Sequence, residues 1–410
     1  MKHFKEFPRS ADFKSDRDGG INIADLNYGV SKRQCPEPYP TDHKQERKIY
    51  FQEEKAMAKN LFIRGRGHSM LIILFIFMAG AAPLGAEMCP QPVELEVIDR
   101  INRERENAGL SPLAAEVRLG EAAFLHSEDM AFHNIFNHTG SDGSSPWDRF
   151  SRAGYPMTRG AENIAAGYGT PAAVVEGWMN SSGHRANILN GNVKHIGVGH
   201  ISHSASDYGR YWTADFGSSS DAGRTIPEYF DVAPGHWARA HIKILACRGI
   251  TAGCGGGDFC PDDPITRAQM AAFLVRTLSV SPAETCSGAV FEDVSLETVG
   301  ADFCRYIETF RDLGITSGCG DNDYCPEGEV SRGQMAVFIL RARGESPSAC
   351  TGLRFGDVSA ASVGAEFCGY IEKLAALGIT SGCGNGNYCP HESVTRAQMA
   401  VFLWRAFWAD

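Results

Sequence analysis

The sequence predicts an α+β chain: a module of helices flanking a sheet, followed by an all-α array of helix-loop-helix repeats. Three observations carry that prediction. Helical and strand periodicities alternate between residues 93 and 217, the stretch from 228 to 410 repeats itself three times, and the cysteines divide sharply between the two. Of 13 cysteines, only Cys35 and Cys89 precede residue 247, and the other 11 fall from Cys247 onward. A chain of 410 residues has room for two or more cores. With 43% hydrophobic and 21% charged residues, its composition is globular and fits neither wholesale disorder nor a polytopic membrane protein.

Charge is as uneven as cysteine. Residues 1–66 carry 14 basic and 10 acidic side chains and 67–86 carry none, so the stretch from Glu87 onward holds 25 basic and 39 acidic, a net of −14. Nucleic-acid binding needs a basic face, so no nucleic-acid partner is expected.

The apolar run MLIILFIFMAGAA at 70–82 is too short for a membrane span of about 20 residues. With Lys59, Arg64 and Arg66 ahead of it and small residues up to Ala86, it reads as a signal peptide over 57–86, cleaved after Leu84-Gly85-Ala86. An uncleaved anchor helix is the alternative, and it would be the only membrane contact. Glu87 and Met88 stand before Cys89 where a lipoprotein signal has small residues. Residues 1–56 are polar and aperiodic, and translation from Met57 would leave them out; otherwise they form a disordered leader.

From Val93, residues Val93, Val97 and Ile101 recur at helical spacing and Gly109 stops the helix. A second helix covers about 118–134, and FNHTGSDGSSPWDRF after it reads as a loop rich in turn residues. Thr170-Pro171 supplies an N-cap and a first-turn proline for the helix AAVVEGWM. HIGVGHIS and RYWTADFG alternate as strands do. Three side chains suited to a divalent metal, His138, Glu162 and His184, sit in separate loops or element ends, where only folding could unite them.

The order of LHSEDMA at 125–131, FNHTG at 136–140, AENIA at 161–165, WMNSSGHRANILN at 178–190, HIGVG at 195–199 and YWTADFG at 211–217 resembles the bacterial branch of the CAP (SCP-like) superfamily. The resemblance covers about 93–217 and implies a CAP α-β-α sandwich. It also implies a surface cleft lined by two histidines and two acidic residues, which in some members binds zinc. His138 matches the first histidine, Glu162 the glutamate of the G-E-N motif and His184 the later histidine. Ala161 replaces the usual glycine, and Ser181 stands where the second glutamate is expected, which leaves a two-histidine, one-carboxylate set. Such a set suits an open zinc site with water in the remaining position, so Zn2+ in the cleft is the only cofactor implied and none is required. Asn163 and Arg185 are candidates for holding the cleft loops together. Plain structural roles are also open: His138 could close its loop and His184 could bond backbone at the turn before Ile188. His126 and His133 read as buried or solvated rather than ligating, and Trp178 as core.

The cysteine-rich part is an internal repeat. Cys254, Cys319 and Cys383 each open a C-x5-C loop closed by Cys260, Cys325 and Cys389, with spacings of 65 and 64 residues between units. A proline follows each loop, then TRAQM at 266–270, SRGQM at 331–335 or TRAQM at 395–399. Each unit reads as helix, loop, helix; in the third, Phe367, Tyr370, Ile371, Leu374 and Leu377 form one apolar face. The second helix opens with a capping box, Thr266, Ser331 or Thr395 with Gln269, Gln334 or Gln398, and Met270, Phe273 and Leu274 continue it as a buried stripe. The arginine between has no such local explanation. Arg267, Arg332 and Arg396 stand at a first helical turn that favours anions, and three copies suggest one anionic ligand read multivalently. Solvation, or pairing with Asp231, Asp293 or Asp357, is the alternative. The C-x5-C pairs 254–260, 319–325 and 383–389 and the pairs 286–304 and 350–368 account for ten cysteines, leaving Cys247 with Cys89 as its one candidate partner in the mature chain.

Through F-x-D-V, G-I-T, the C-P turn and T-R-A-Q, this part resembles S-layer homology (SLH) domains in three copies, 229–281, 286–345 and 350–410, after a linker at 218–228. That resemblance implies attachment to cell-wall or envelope polysaccharide, with the arginines at the ligand. Glutamine replaces the usual glutamate of T-R-A-E. The expectation is an exported, envelope-attached protein displaying a CAP cleft that binds a ligand. A metal-dependent hydrolase using His138, Glu162 and His184 is the first alternative, and an inert structural envelope protein the second.

Overall fold

In this computed structural model the described residues are 88–409, so the leader at 1–56, the signal peptide at 57–86 and Cys35 lie outside them. Among the described residues, no helix is long and apolar enough to cross a membrane. The chain separates into two compact units between Pro227 and Glu228.

The first unit runs α1 (Pro92–Asn107), β1 (Ala114–Ala115), α2 (Val117–His133), α3 (Pro146–Arg152), β2 (Met157–Ala166), α4 (Pro171–Asn180), α5 (Ser182–Ile188), β3 (His195–Ser202) and β4 (Arg210–Ser219). The expected helix ends hold to within two residues because their signals are local. Thr170 accepts the Ala173 N–H with Pro171 in the first turn, and Asn134 ends α2 in the left-handed conformation. The sheet order is β1-β3-β4-β2, with β1 parallel to β3 and the other pairs antiparallel, so β2 is an edge strand. The segment 161–165, left without an element by the periodicity, is the buried half of β2.

Two glycines let α2 lie directly on β3. A Cβ on Gly197 would meet Leu119 and Gly120 backbone at 2.1 Å, and one on Gly199 would meet the Phe124 amide nitrogen at 2.2 Å. Since that neighbour is backbone it cannot turn aside, and Gly197→Ala is expected to cost the upper part of the overpacking range of about 1–3 kcal/mol, read by thermal unfolding. The expected linker at 218–228 belongs largely to this unit: Val117 donates to the Arg224 carbonyl and Ile226 to that of Ala115.

The second unit contains α6 (Arg239–Cys247), α7 (Arg267–Thr277), α8 (Gly300–Asp312), α9 (Arg332–Ala342), α10 (Ala360–Val363), α11 (Ala365–Ala376) and α12 (Arg396–Phe407). All three capping boxes form as expected. So do the five disulfides 254–260, 286–304, 319–325, 350–368 and 383–389. Of the apolar face expected on α11, Leu377 is the exception; it caps the helix and is 38% exposed.

The residues just before α7, α9 and α12 are joined in a ring. Ile265 donates to the Val394 carbonyl, Val394 to Val330 and Val330 to Ile265, a ring of three hydrogen bonds among fully buried residues. Each C-x5-C loop is pinned by an aspartate from upstream in its own repeat. Asp231 accepts the Phe259 and Cys260 N–H groups, Asp293 those of Tyr324 and Cys325, and Asp357 those of Tyr388 and Cys389. The aspartates are thereby committed to backbone, not to the arginines.

Candidate functional site

The strand register sets the site. Glu162 on the edge strand β2 stands opposite Asp215 on β4, so both carboxyls lie on one face of the sheet. Neighbouring Asn163 points to the other face. Glu162 is buried, and two groups occupy its two oxygens: His138 Nδ1 at 2.7 Å from Oε1 and Arg149 Nη2 at 2.7 Å from Oε2. A carboxylate only accepts, so His138 carries its proton on Nδ1 and presents Nε2 outward from a side chain 52% exposed. Arg149 also donates to the carbonyls of Ser144 and His138, which fixes the loop between α2 and α3 around the pair.

His184 is half-buried on α5. Its carbonyl accepts from Asn163, whose own oxygen accepts from Asn187 at 2.8 Å; Asn187 reaches the Glu162 carbonyl as well. Asn163 thus links β2 to α5 through the His184 carbonyl and Asn187. Arg185 is exposed, and Ser181 marks the break between α4 and α5. His126 is fully buried and donates Nε2–H to the Asn137 carbonyl, whereas His133 is exposed beside Asp129. Trp178 is core, its indole N–H on the Ile164 carbonyl.

Burial alone would raise the Glu162 carboxyl, but the His138 hydrogen bond and the Arg149 charge outweigh it and hold the group below the usual range. Asp215 is fully buried without a donor of its own, and burial, reinforced by the Glu162 charge, pushes it well above that range. Partial burial and then the neighbouring His138 hold the His184 imidazole down. Arg149 and Asp215 were missed in the sequence. Asp215 carried a signal in retrospect, as a carboxylate at an inward position of an apolar strand.

The expected zinc set does not fit as built. Each Glu162 oxygen already accepts a hydrogen bond, one from a buried guanidinium whose charge opposes a cation beside it, so this carboxylate is a poor third ligand for a metal. Among the described residues, one group of three ligand-type atoms lies within 4.8 Å, on Cys286, Cys304 and Glu308. Its sulfurs are joined in a disulfide and Glu308 accepts from Ser287 and Gly288, so it has no thiolate to offer.

The three arginines expected at a ligand are buried. Each reaches into the next repeat, where Nε donates to a loop carbonyl: Arg267 to Tyr324 at 2.7 Å, Arg332 to Tyr388 at 2.8 Å, and Arg396 back to Phe259 at 2.8 Å. Each guanidinium also lies over two aromatic rings, for Arg396 those of Phe259 and Phe273 at 4.8 and 5.6 Å.

The cysteine-rich secretory protein family model, CAP, matches residues 98–216, and the S-layer homology domain model matches 229–271 and 354–400. The chain is similar to an uncharacterized protein, YkwD, of Bacillus subtilis (strain 168), 42% identical over 123 residues that make up 30% of this chain and 46% of that one. The chain is also similar to an S-layer protein of Bacillus licheniformis, 28% identical over 184 residues, 44% of this chain and 20% of that one. A solved extracellular protein containing a SCP domain from Bacillus anthracis str. Ames is 31% identical, with TM-score 0.28, covering 31% of this chain and 40% of that one. The chain thus spans less than half the length of each of these relatives. It is an α+β chain carrying a CAP segment with a mixed sheet and helical SLH segments.

Proposed function

We propose that this is an exported protein held at the cell envelope by SLH repeats and displaying a CAP domain whose cleft binds a ligand. The observation that carries the reading is the union of the two matches on one chain, a CAP segment at 98–216 and SLH segments at 229–271 and 354–400. The stretch between the two SLH segments has the same capping box, pinned loop and disulfide, which supports three repeats at 229–281, 286–345 and 350–410. Five disulfides suit an oxidising compartment outside the cytosol. The partner of the repeats would be wall or envelope polysaccharide.

Binding is favoured over hydrolysis because the Glu162 carboxylate accepts from His138 and from the buried Arg149, which hold it ionised below the usual range and so make it a poor general base. His138 Nε2 and the His184 imidazole are then recognition groups, and Asn163, fully buried, is a support. Co-sedimentation with isolated envelope tests the tether: the full chain is expected to pellet, and a chain ending at Pro227 to stay in the supernatant. Equal sedimentation of the two would remove the tethering role.

A further inference from the structure

We propose that the second unit opens at its first repeat when the surroundings turn acidic. Its closing seam, between α6 and α12, carries a histidine and an ion-paired carboxylate where the other two repeats carry a tyrosine and a disulfide.

The Gly-Ile-Thr motifs at 249–251, 314–316 and 378–380 align the repeats. Counted back from them, His241 corresponds to Tyr306 and Tyr370, Arg239 to Cys304 and Cys368, and Lys243 to Glu308 and Glu372. At the first seam, Arg276 of α7 donates to the Tyr306 hydroxyl at 2.9 Å; at the second, Arg341 of α9 donates to that of Tyr370 at 3.4 Å. A phenol between these helices accepts from the arginine and brings no basic nitrogen to the seam. At the third seam the corresponding arginine, Arg405 of α12, stands beside His241. That imidazole is buried, lies edge-on to Trp404 with ring centroids 5.0 Å apart, and leaves Nδ1 without a hydrogen-bond partner.

The staples differ in the same sense. Cys304 and Cys368 are bonded to Cys286 and Cys350, and Glu308 and Glu372 accept from the backbone beside those bonds. In the first repeat, Arg239 and the buried Lys243 both pair with Glu228, whose side chain is 46% exposed.

The charged group that faces His241 from the packed helix is Arg405 of α12, while Arg239 and Lys243, two residues to either side on its own helix, turn away from it and pair with Glu228. A proton on the imidazole therefore places a second positive charge beside Arg405 in a buried seam. Burial first, and Arg405 second, hold His241 down to about 3, against 6.5 for an ordinary histidine. The opened form takes a proton near 6.5 and the closed form only near 3. Closure is thus fully present above about 6.5, and opening grows by about tenfold per unit as pH falls toward 3. Acid would loosen the array to which attachment is assigned above, but the seam itself does not depend on that assignment.

Hydrogen exchange on the full chain, corrected for the intrinsic rate, tests this at about pH 7 and about pH 5. Protection over 239–247 is expected to fall by about 30-fold relative to 300–312 and 365–376. His241→Tyr, which installs the residue of the other seams, is expected to remove that difference, and His241→Gln covers the case in which tyrosine does not pack. Equal loss over all three helices, no loss over 239–247, or an unchanged loss in both variants would overturn the proposal.

Discussion

Glu162→Ala is expected to destabilise the first unit by about 3–5 kcal/mol, because it strips the partner from a buried arginine. Arg149 is 7% exposed and its Nη2 would keep only the His138 carbonyl, while Asp215 would lose the neighbour across the strand pair. His138 would also lose the acceptor that fixes its tautomer. Thermal unfolding of the full chain, followed by a tryptophan signal from Trp178 and Trp212 in the first unit, measures the loss. A change below about 1 kcal/mol would mean that the pair is exchangeable for water and the cleft is not preorganised. Gln at the same position keeps one acceptor and the shape, so it is expected to cost less than Ala.

Arg396→Ala is expected to cost the second unit about 3 kcal/mol, through one lost buried hydrogen bond and the space left between two aromatic rings. Arg267→Ala and Arg332→Ala are expected to act alike, since each holds the loop of the following repeat. An arginine on the surface awaiting an anion would behave differently: its removal would leave stability within about 0.5 kcal/mol and change only binding. Urea unfolding, with hydrogen exchange read over α7, α9 and α12, separates the two. Loss of envelope attachment in these variants would therefore follow from a loosened ring, and attachment is better probed at residues outside it. Lysine at 396 is not expected to rescue, because an ammonium has neither the planar face nor the fixed donor of guanidinium.

Legibility in the sequence followed the range of the interaction. Thr170, Ser331 and Thr395 announce their helices because a cap bonds a backbone three residues away. The C-x5-C loops announce their disulfides because a short loop brings its own ends together, with Cα separations of 6.0–6.1 Å. That His138 and Glu162 belong together was an expectation drawn from family likeness, which is itself a memory of tertiary structure, and the two meet at 2.7 Å. Periodicity gave no sign of Arg149 or Asn187, whose partners lie 13 and 24 residues away across a sheet.

The arginines show the boundary most clearly. Their position in the first turn after a capping box was determined by the local sequence, and so was the existence of three copies. Whether they face solvent, an anion or the protein interior was decided only when the repeats closed into a ring and Arg396 met Phe259 across 137 residues. A helix start exposes donors to whatever lies beyond it. What lies beyond it is a property of packing, because contacts between repeats have no period along the chain.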